Sequence, residues 1–246
     1  MKLCKRIISL LSLIAVLFMF TKTKLHAIEH TGHERQNDSL TQDYTNVYRY
    51  KRNGSNQIAL TFDDGPHPVY TERILDILKK YDVKATFFMI GENVVYYTDT
   101  ALRVKNEGHE IGNHTVKHLS ARKNSPDKLR EDMLECSRVI KDKLGYQTSI
   151  MRPPEGELVD TVLNTCSRLN FSVILWNVDT RDWAHTSPER IYKNVIENTG
   201  SGDIILMHDY ISKSSPTPEA LEMIIPKLLD SGYVFVTVSE LIRADD

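Results

Sequence analysis

The stretch Gln57-Ile58-Ala59-Leu60-Thr61-Phe62-Asp63-Asp64-Gly65-Pro66 decides how this chain is read. It starts as an apolar strand and ends in two adjacent carboxylates, a glycine and a proline. Side chains alternate along a strand, so Asp63 and Asp64 leave its end in different directions. One carboxylate can bind a metal while its neighbour faces a substrate. Gly65 permits a sharp or left-handed turn, and Pro66 stops the strand. Taken alone, the same residues also suit an ordinary exposed turn.

Outward from this stretch the chain alternates strand and helix signals. Strands are predicted at 57–62, 85–90, 109–113, 149–152, 171–177, 203–207 and 233–238, with an edge strand near 47–50. Between them, helices are predicted at 70–81, 94–107, 126–144, 158–169, 188–198 and 218–230, with a short one at 239–243. In the first helix Ile74, Leu75, Ile77 and Leu78 fall on one face. Ser125-Pro126 and Ser187-Pro188 supply N-caps followed by a first-turn proline. Repeated βα units imply a parallel sheet, open or closed into a barrel. The chain lacks a Gly-x-Gly-x-x-Gly loop, a Walker loop and a Gly-x-Ser-x-Gly elbow. Nucleotide binding and serine hydrolase chemistry therefore have no motif behind them.

Composition narrows the class further. The chain has 246 residues, of which 41% are hydrophobic and 26% charged, as expected of one globular α/β domain. Its formal net charge is −2; removing the five positive charges of residues 1–24, which hold no acid, leaves −7 for the remainder. A net-acidic body argues against a general nucleic-acid partner. Basic residues at 2–6 precede an apolar run from Ile7 to Phe20, the pattern of a secretory signal. That run is shorter than the roughly 18 residues that span a bilayer comfortably. The expectation is a leader or N-terminal anchor over 1–27, a polar linker over 28–54 and a domain over 55–246. The body is then secreted or membrane-anchored on the outer face, a monomer touching membrane only through its N-terminus. Cys136 and Cys166 fall on predicted helices; a disulfide between them is open to a chain outside the cytoplasm, but two buried free thiols are the favoured reading.

Ionisable residues gather at strand C-terminal ends: Asp63 and Asp64, then Asn113, His114 and His118, then Arg152, then Asp179, Asp182 and Trp183, then His208 and Asp209. In parallel α/β folds these ends open on one face, where active sites lie. His114 and His118, four apart, would share one side of a helical turn. With Asp64 they make a carboxylate and two imidazoles, a three-ligand set of the catalytic zinc type with a position left for water. Cobalt, manganese or iron could use the same donors.

Thr61–Pro66, His114–His118, Arg152–Gly156, Asp179–Trp183 and Leu206–Asp209 together resemble, in order, the five motifs of the NodB-type polysaccharide deacetylases, carbohydrate esterase family 4. The resemblance covers roughly residues 55–243. It implies a distorted (β/α) barrel of about seven parallel strands. It also implies metal-dependent removal of acetyl groups from N-acetylglucosamine-containing polysaccharide, with peptidoglycan expected as the substrate. Carried over by motif, Asp64, His114 and His118 hold the metal and Asp63 is the general base. Arg152 pairs with Asp63, and Asp182 tunes His208, the general acid. Trp183 and Leu206 wall the acetyl pocket, and the backbone N–H of Glu155 helps bind the oxyanion. The family usually places an aromatic residue where this chain has Glu155, so a groove wall is lost and a charge gained. His67, His109 and His185 are read as non-catalytic and Asp209 as a helix cap. Two other readings stay open: a metal amidohydrolase acting on a small amide or imide, and a glycan-binding module without turnover.

Overall fold

The strand that ends at the paired carboxylates is an interior strand of the sheet, with three strand neighbours. The computed structural model describes residues 46–52, 54–211 and 214–243. The expected leader and most of the linker lie outside the described residues. The strands are β1 (Val47–Tyr48), β2 (Gln57–Asp63), β3 (Thr86–Met89), β4 (Glu110–Asn113), β5 (Ile150–Met151), β6 (Ser172–Ile174), β7 (Val178–Asp179), β8 (Ile204–His208) and β9 (Val234–Phe235). They pair in the order β1-β6-β5-β4-β3-β2-β8-β7, and β9 pairs with the start of β2. Every pairing between these strands is parallel. β1 lies inside the stretch read as linker, so the folded unit starts at Asn46 rather than near residue 55.

Alternation along β2 sorts its side chains. Ile58, Leu60 and Phe62 are fully buried against the helical layer, with Ile74, Leu75 and Leu78 among their companions. Ala59 packs in a second cluster with Phe88, Ile150, Ile174 and Ile204. Thr61 and Asp63 share the parity of Ala59, so they point to that same inner side of the curled sheet.

The strand predicted at 171–177 is broken in two. β6 pairs with β5 and β1, residues 175–177 switch the chain's partner from Tyr48 of β1 to Ile204 of β8, and β7 then pairs with β8. One continuous piece of chain thus runs from β6, next to the edge strand β1, to the opposite edge strand β7. At this junction the carbonyls of Ile174 and Leu175 accept from the Arg152 side chain at 3.2 and 3.0 Å.

The helices are α1 (Tyr70–Lys80), α2 (Gly91–Tyr96), α3 (Thr98–Asn106), α4 (Pro126–Leu144), α5 (Asp160–Leu169), α6 (Pro188–Asn198), α7 (Thr217–Asp230) and α8 (Val238–Arg243). The single helix predicted at 94–107 is two, because Tyr97 leaves helical backbone (φ −127°, ψ 48°). The N–H of Gly91 donates to the carbonyl of Thr115 at 2.9 Å, which ties the start of α2 to the loop after β4. In α4 the Ser125 hydroxyl accepts from the Lys128 N–H, and Gly145 ends the helix in a left-handed conformation. Cys136 and Cys166 are buried free thiols, as expected.

Candidate active site

Asp63 is the last residue of β2 and is 4% exposed. Its Oδ1 accepts from Arg152 Nη1 at 2.8 Å. Arg152 has no exposed surface, and each of its nitrogens is used: the same Nη1 donates to Thr61 Oγ1 at 2.8 Å, and Nε and Nη2 serve the two carbonyls of the broken strand. The guanidinium also lies 4.2 Å from the Phe88 ring centre. Burial lowers the pKa of Arg152, and the charge and hydrogen bond of Asp63 work against that. A buried ion pair of this kind stands only because its remaining donors are satisfied.

Asp64 follows in left-handed backbone, φ 75°. Its Oδ1 lies 3.4 Å from His114 Nε2 and 3.4 Å from His118 Nε2. The three donor atoms fall within 4.8 Å of one another. His114 Nε2 is also 3.8 Å from Asp63 Oδ2. Asp64 Oδ1 is buried without a hydrogen-bond partner, which is costly for a carboxylate unless a cation serves it. His114 Nδ1 sits 2.7 Å from the Arg152 carbonyl, an acceptor only, so the proton belongs on Nδ1 and the Nε2 lone pair faces the cluster. The donors therefore fit a divalent metal. Burial would raise the Asp64 pKa, but His114, His118 and His208 outweigh it and hold it low. His114 is buried, yet Asp63 and Asp64 raise its pKa; burial and the neighbouring His114 lower that of His118.

The two imidazoles do meet, but not by helical spacing. Residues 114–118 are an irregular loop with Thr115 and His118 in left-handed backbone (φ 64° and 52°). Side chains hold the loop in place. The Thr115 N–H donates to Asn113 Oδ1 at 2.8 Å and the His118 N–H to Thr115 Oγ1 at 3.0 Å. Buried Asp132 on α4 accepts from the N–H groups of Val116 and Lys117 at 3.2 and 3.3 Å. Sequence reading gave Asp132 no role, since it lies mid-helix far from every motif.

On the other side of the site, Asp182 is fully buried and takes four hydrogen bonds. His208 Nδ1 lies 2.8 Å from Asp182 Oδ1, while the His208 N–H and the Thr217 hydroxyl both donate to Oδ2 at 2.7 Å. The Trp183 N–H donates to Oδ1 at 2.9 Å. Burial opposes charge on His208, but the bond and charge of Asp182, with Asp63 and Asp64 nearby, push its pKa up to about 9. Thr217, at the start of α7, is a partner that no motif announced.

A cleft of about 520 Å³ opens beside the cluster, lined by Asp64 and His118 at its base and by Glu92, Lys117, Trp183, His185 and Tyr210 among its walls. Trp183 is half exposed there, as a pocket wall should be. His185, read as non-catalytic, also reaches this wall. Leu206 is buried in β8, opposite Thr61 of β2 and Asp179 of β7, and shares the strand parity of His208. Glu155 is exposed on a tight turn over Pro154–Gly156 with φ 58°, close enough for its charge to act on His118. Asp209 is not a helix cap. It is buried below the carboxylate turn, accepts from the Thr71 hydroxyl at 2.5 Å, and leaves no room for a side chain at Gly65. Burial pushes its pKa up to about 7.

Comparison with known proteins agrees with this geometry. Residues 50–174 match the polysaccharide deacetylase family. A peptidoglycan-N-acetylglucosamine deacetylase of Bacillus cereus is 44% identical over 193 residues, covering 78% of this chain and 90% of that protein. A peptidoglycan-N-acetylmuramic acid deacetylase of Bacillus subtilis is 40% identical over 184 residues, covering 75% of this chain and 38% of that protein. Among solved structures, the Bc1960 peptidoglycan N-acetylglucosamine deacetylase, in complex with 4-naphthalen-1-yl-N-oxidanyl-benzamide, superposes with a TM-score of 0.78 at 36% identity. That match covers 82% of this chain and 95% of the other.

Proposed function

The chain belongs to the polysaccharide deacetylase family, and from that premise we propose that it removes N-acetyl groups from amino-sugar polymer of the bacterial wall, with N-acetylglucosamine as the sugar attacked. The observation that carries the reading is the orphaned Asp64 oxygen facing two imidazole nitrogens, flanked by a carboxylate–guanidinium pair and a carboxylate–imidazole pair. Asp64, His114 and His118 would hold the divalent metal, with zinc proposed and cobalt, manganese or iron as alternatives. When bound, that ion supplies polarisation of the amide carbonyl and a lowered pKa for water, towards ~7.

The chain's own residues do the rest. Asp63 accepts the proton of the attacking water, and Arg152 fixes its Oδ1 so that Oδ2 is the oxygen left to act. His208 donates a proton to the departing amine; Asp182 holds the ring by Nδ1, so Nε2 is the nitrogen free to donate. The backbone N–H of Glu155 is proposed as the donor to the oxyanion. Trp183 closes one side of the cleft against the sugar. Leu206 is proposed, with Trp183, to wall the pocket that takes the acetyl methyl.

The N-terminal apolar run is proposed to carry the domain outside the cytoplasm, where such a polymer lies, and the domain is proposed to act as a monomer. The test is mass spectrometry of muropeptides and N-acetylglucosamine oligomers after incubation with the full chain and zinc or cobalt. Products in which acetyl is replaced by hydrogen on glucosamine are expected. Loss of acetyl only from muramic acid would move the substrate, and tight glycan binding without acetate release would leave a binding module.

A further inference from the structure

The cleft does not end at the metal cluster. Tyr210, on its wall, lies face to face with His67 at a centroid distance of 4.9 Å and an angle of 8°. His67 lies 6.2 Å from Tyr97, and Tyr97 lies 6.4 Å from Tyr96. These rings form a chain of contacts from the cleft to the C-terminal end of α2, the helix whose Glu92 lines the cleft. None is core: Tyr96 is 72%, Tyr97 36% and Tyr210 37% exposed.

The strip is also stiff. His67 Nδ1 accepts from the N–H groups of Val69 and Tyr70 at 3.2 and 3.3 Å, which fixes the ring at the head of α1. Such bonds make His67 an architectural acceptor and hold Tyr210 upright against it. Tyr97 is fixed by its backbone, where α2 ends and α3 begins. Rings held in place before binding lose little freedom when a ligand arrives. Tyrosine combines an apolar face with a hydroxyl at its tip, which suits the apolar faces and equatorial hydroxyls of sugars.

We infer that the Tyr210–His67–Tyr97–Tyr96 strip is a glycan-binding track that holds sugars of the same polymer chain outside the one being deacetylated. The occupant is a glycan strand because the strip is continuous with the cleft that takes its reacting sugar. This rests on the deacetylase reading, and the track makes the enzyme selective for polymer over short fragments.

The test is the ratio of kcat/KM for acetate release from N-acetylglucosamine hexasaccharide over disaccharide, with the full metal-loaded chain. The wild-type ratio is expected to be at least about tenfold, the equivalent of one added favourable contact of 1.4 kcal/mol. Tyr96→Ser/Tyr97→Ser should cut it to below about threefold through KM for the hexasaccharide, a loss near 0.7 kcal/mol on the same scale. Tyr96→Phe/Tyr97→Phe should keep the wild-type ratio. Tyr96→Ser alone, at the most exposed ring, serves if the double variant fails to fold. An unchanged ratio in a folded serine variant overturns the track while leaving the deacetylase intact. Dimer formation that Tyr96→Ser abolishes would give the strip to a second copy and also overturn it. If the wild type releases no acetate from any oligomer or from wall polymer, the deacetylase reading falls first.

Discussion

Arg152→Lys is the substitution that asks most of the structure. The native guanidinium serves Thr61 and Asp63 with one nitrogen and the carbonyls of Ile174 and Leu175 with the other two. Lysine keeps the charge but has a single nitrogen, so it cannot span from the end of β2 to the break between β6 and β7. If it stays with Asp63, two buried carbonyls lose their donors, at about 1–3 kcal/mol each. Contact with the faces of Phe88 and Trp176 is lost as well. A net cost of about 3 kcal/mol is a middle estimate, which for a domain of this size lowers Tm by roughly 6–12 °C. Activity should fall too, by about 100-fold, since Asp63 Oδ2 is no longer aimed. Circular dichroism melts and acetate release from wall polymer read the two effects. A folded Arg152→Lys protein melting within about 2 °C of wild type, a shift worth under 1 kcal/mol here, would refute the idea that this side chain ties the junction of β6 and β7 to the end of β2.

Two further predictions follow from the shell around the site. Asp132→Ala removes the acceptor for the Val116 and Lys117 N–H groups, so the His118 loop should loosen and metal affinity fall about 10–100-fold, as measured by competition with a chromophoric chelator, with Asp132→Asn restoring part of it. The His208 pKa rises from its ordinary 6.5 to about 9 on folding, so its contribution is complete below pH 6.5 and lost as pH climbs through 9. Metal-stripped protein should therefore lose on the order of 3 kcal/mol of urea stability across that window, and Asp182→Asn should flatten the decline; equal slopes in the two proteins would contradict it.

Much of this was legible in the sequence because strand ends announce themselves. The βα rhythm gave the parallel sheet, and Asp63, Asp64, Arg152, Asp182 and His208 all arrive where their strands stop. What was not legible depends on contacts between distant segments. His114 and His118 were correctly paired for the wrong reason: helical spacing suggested it, but left-handed Thr115 and the distant Asp132 bring it about. The break at 175–177 was hidden because an apolar run reads as continuous strand; Arg152, more than twenty residues earlier, ties that junction to the end of β2. Asp209 looked like a cap because its partner Thr71 lies 138 positions away. Tyr97 reads as one more residue of an amphipathic helix, whereas in the fold it ends one helix and starts the next.

The most direct measurement of the central claim is acetate release from purified wall polymer by the metal-stripped chain, before and after adding back one divalent ion per chain. The account predicts no release when stripped, recovery with zinc or cobalt, and no recovery in Asp64→Ala, whose fold should survive because Asp64 Oδ1 has no hydrogen bond to lose. Acetate released at the wild-type rate by the stripped protein, or by Asp64→Ala, would contradict it.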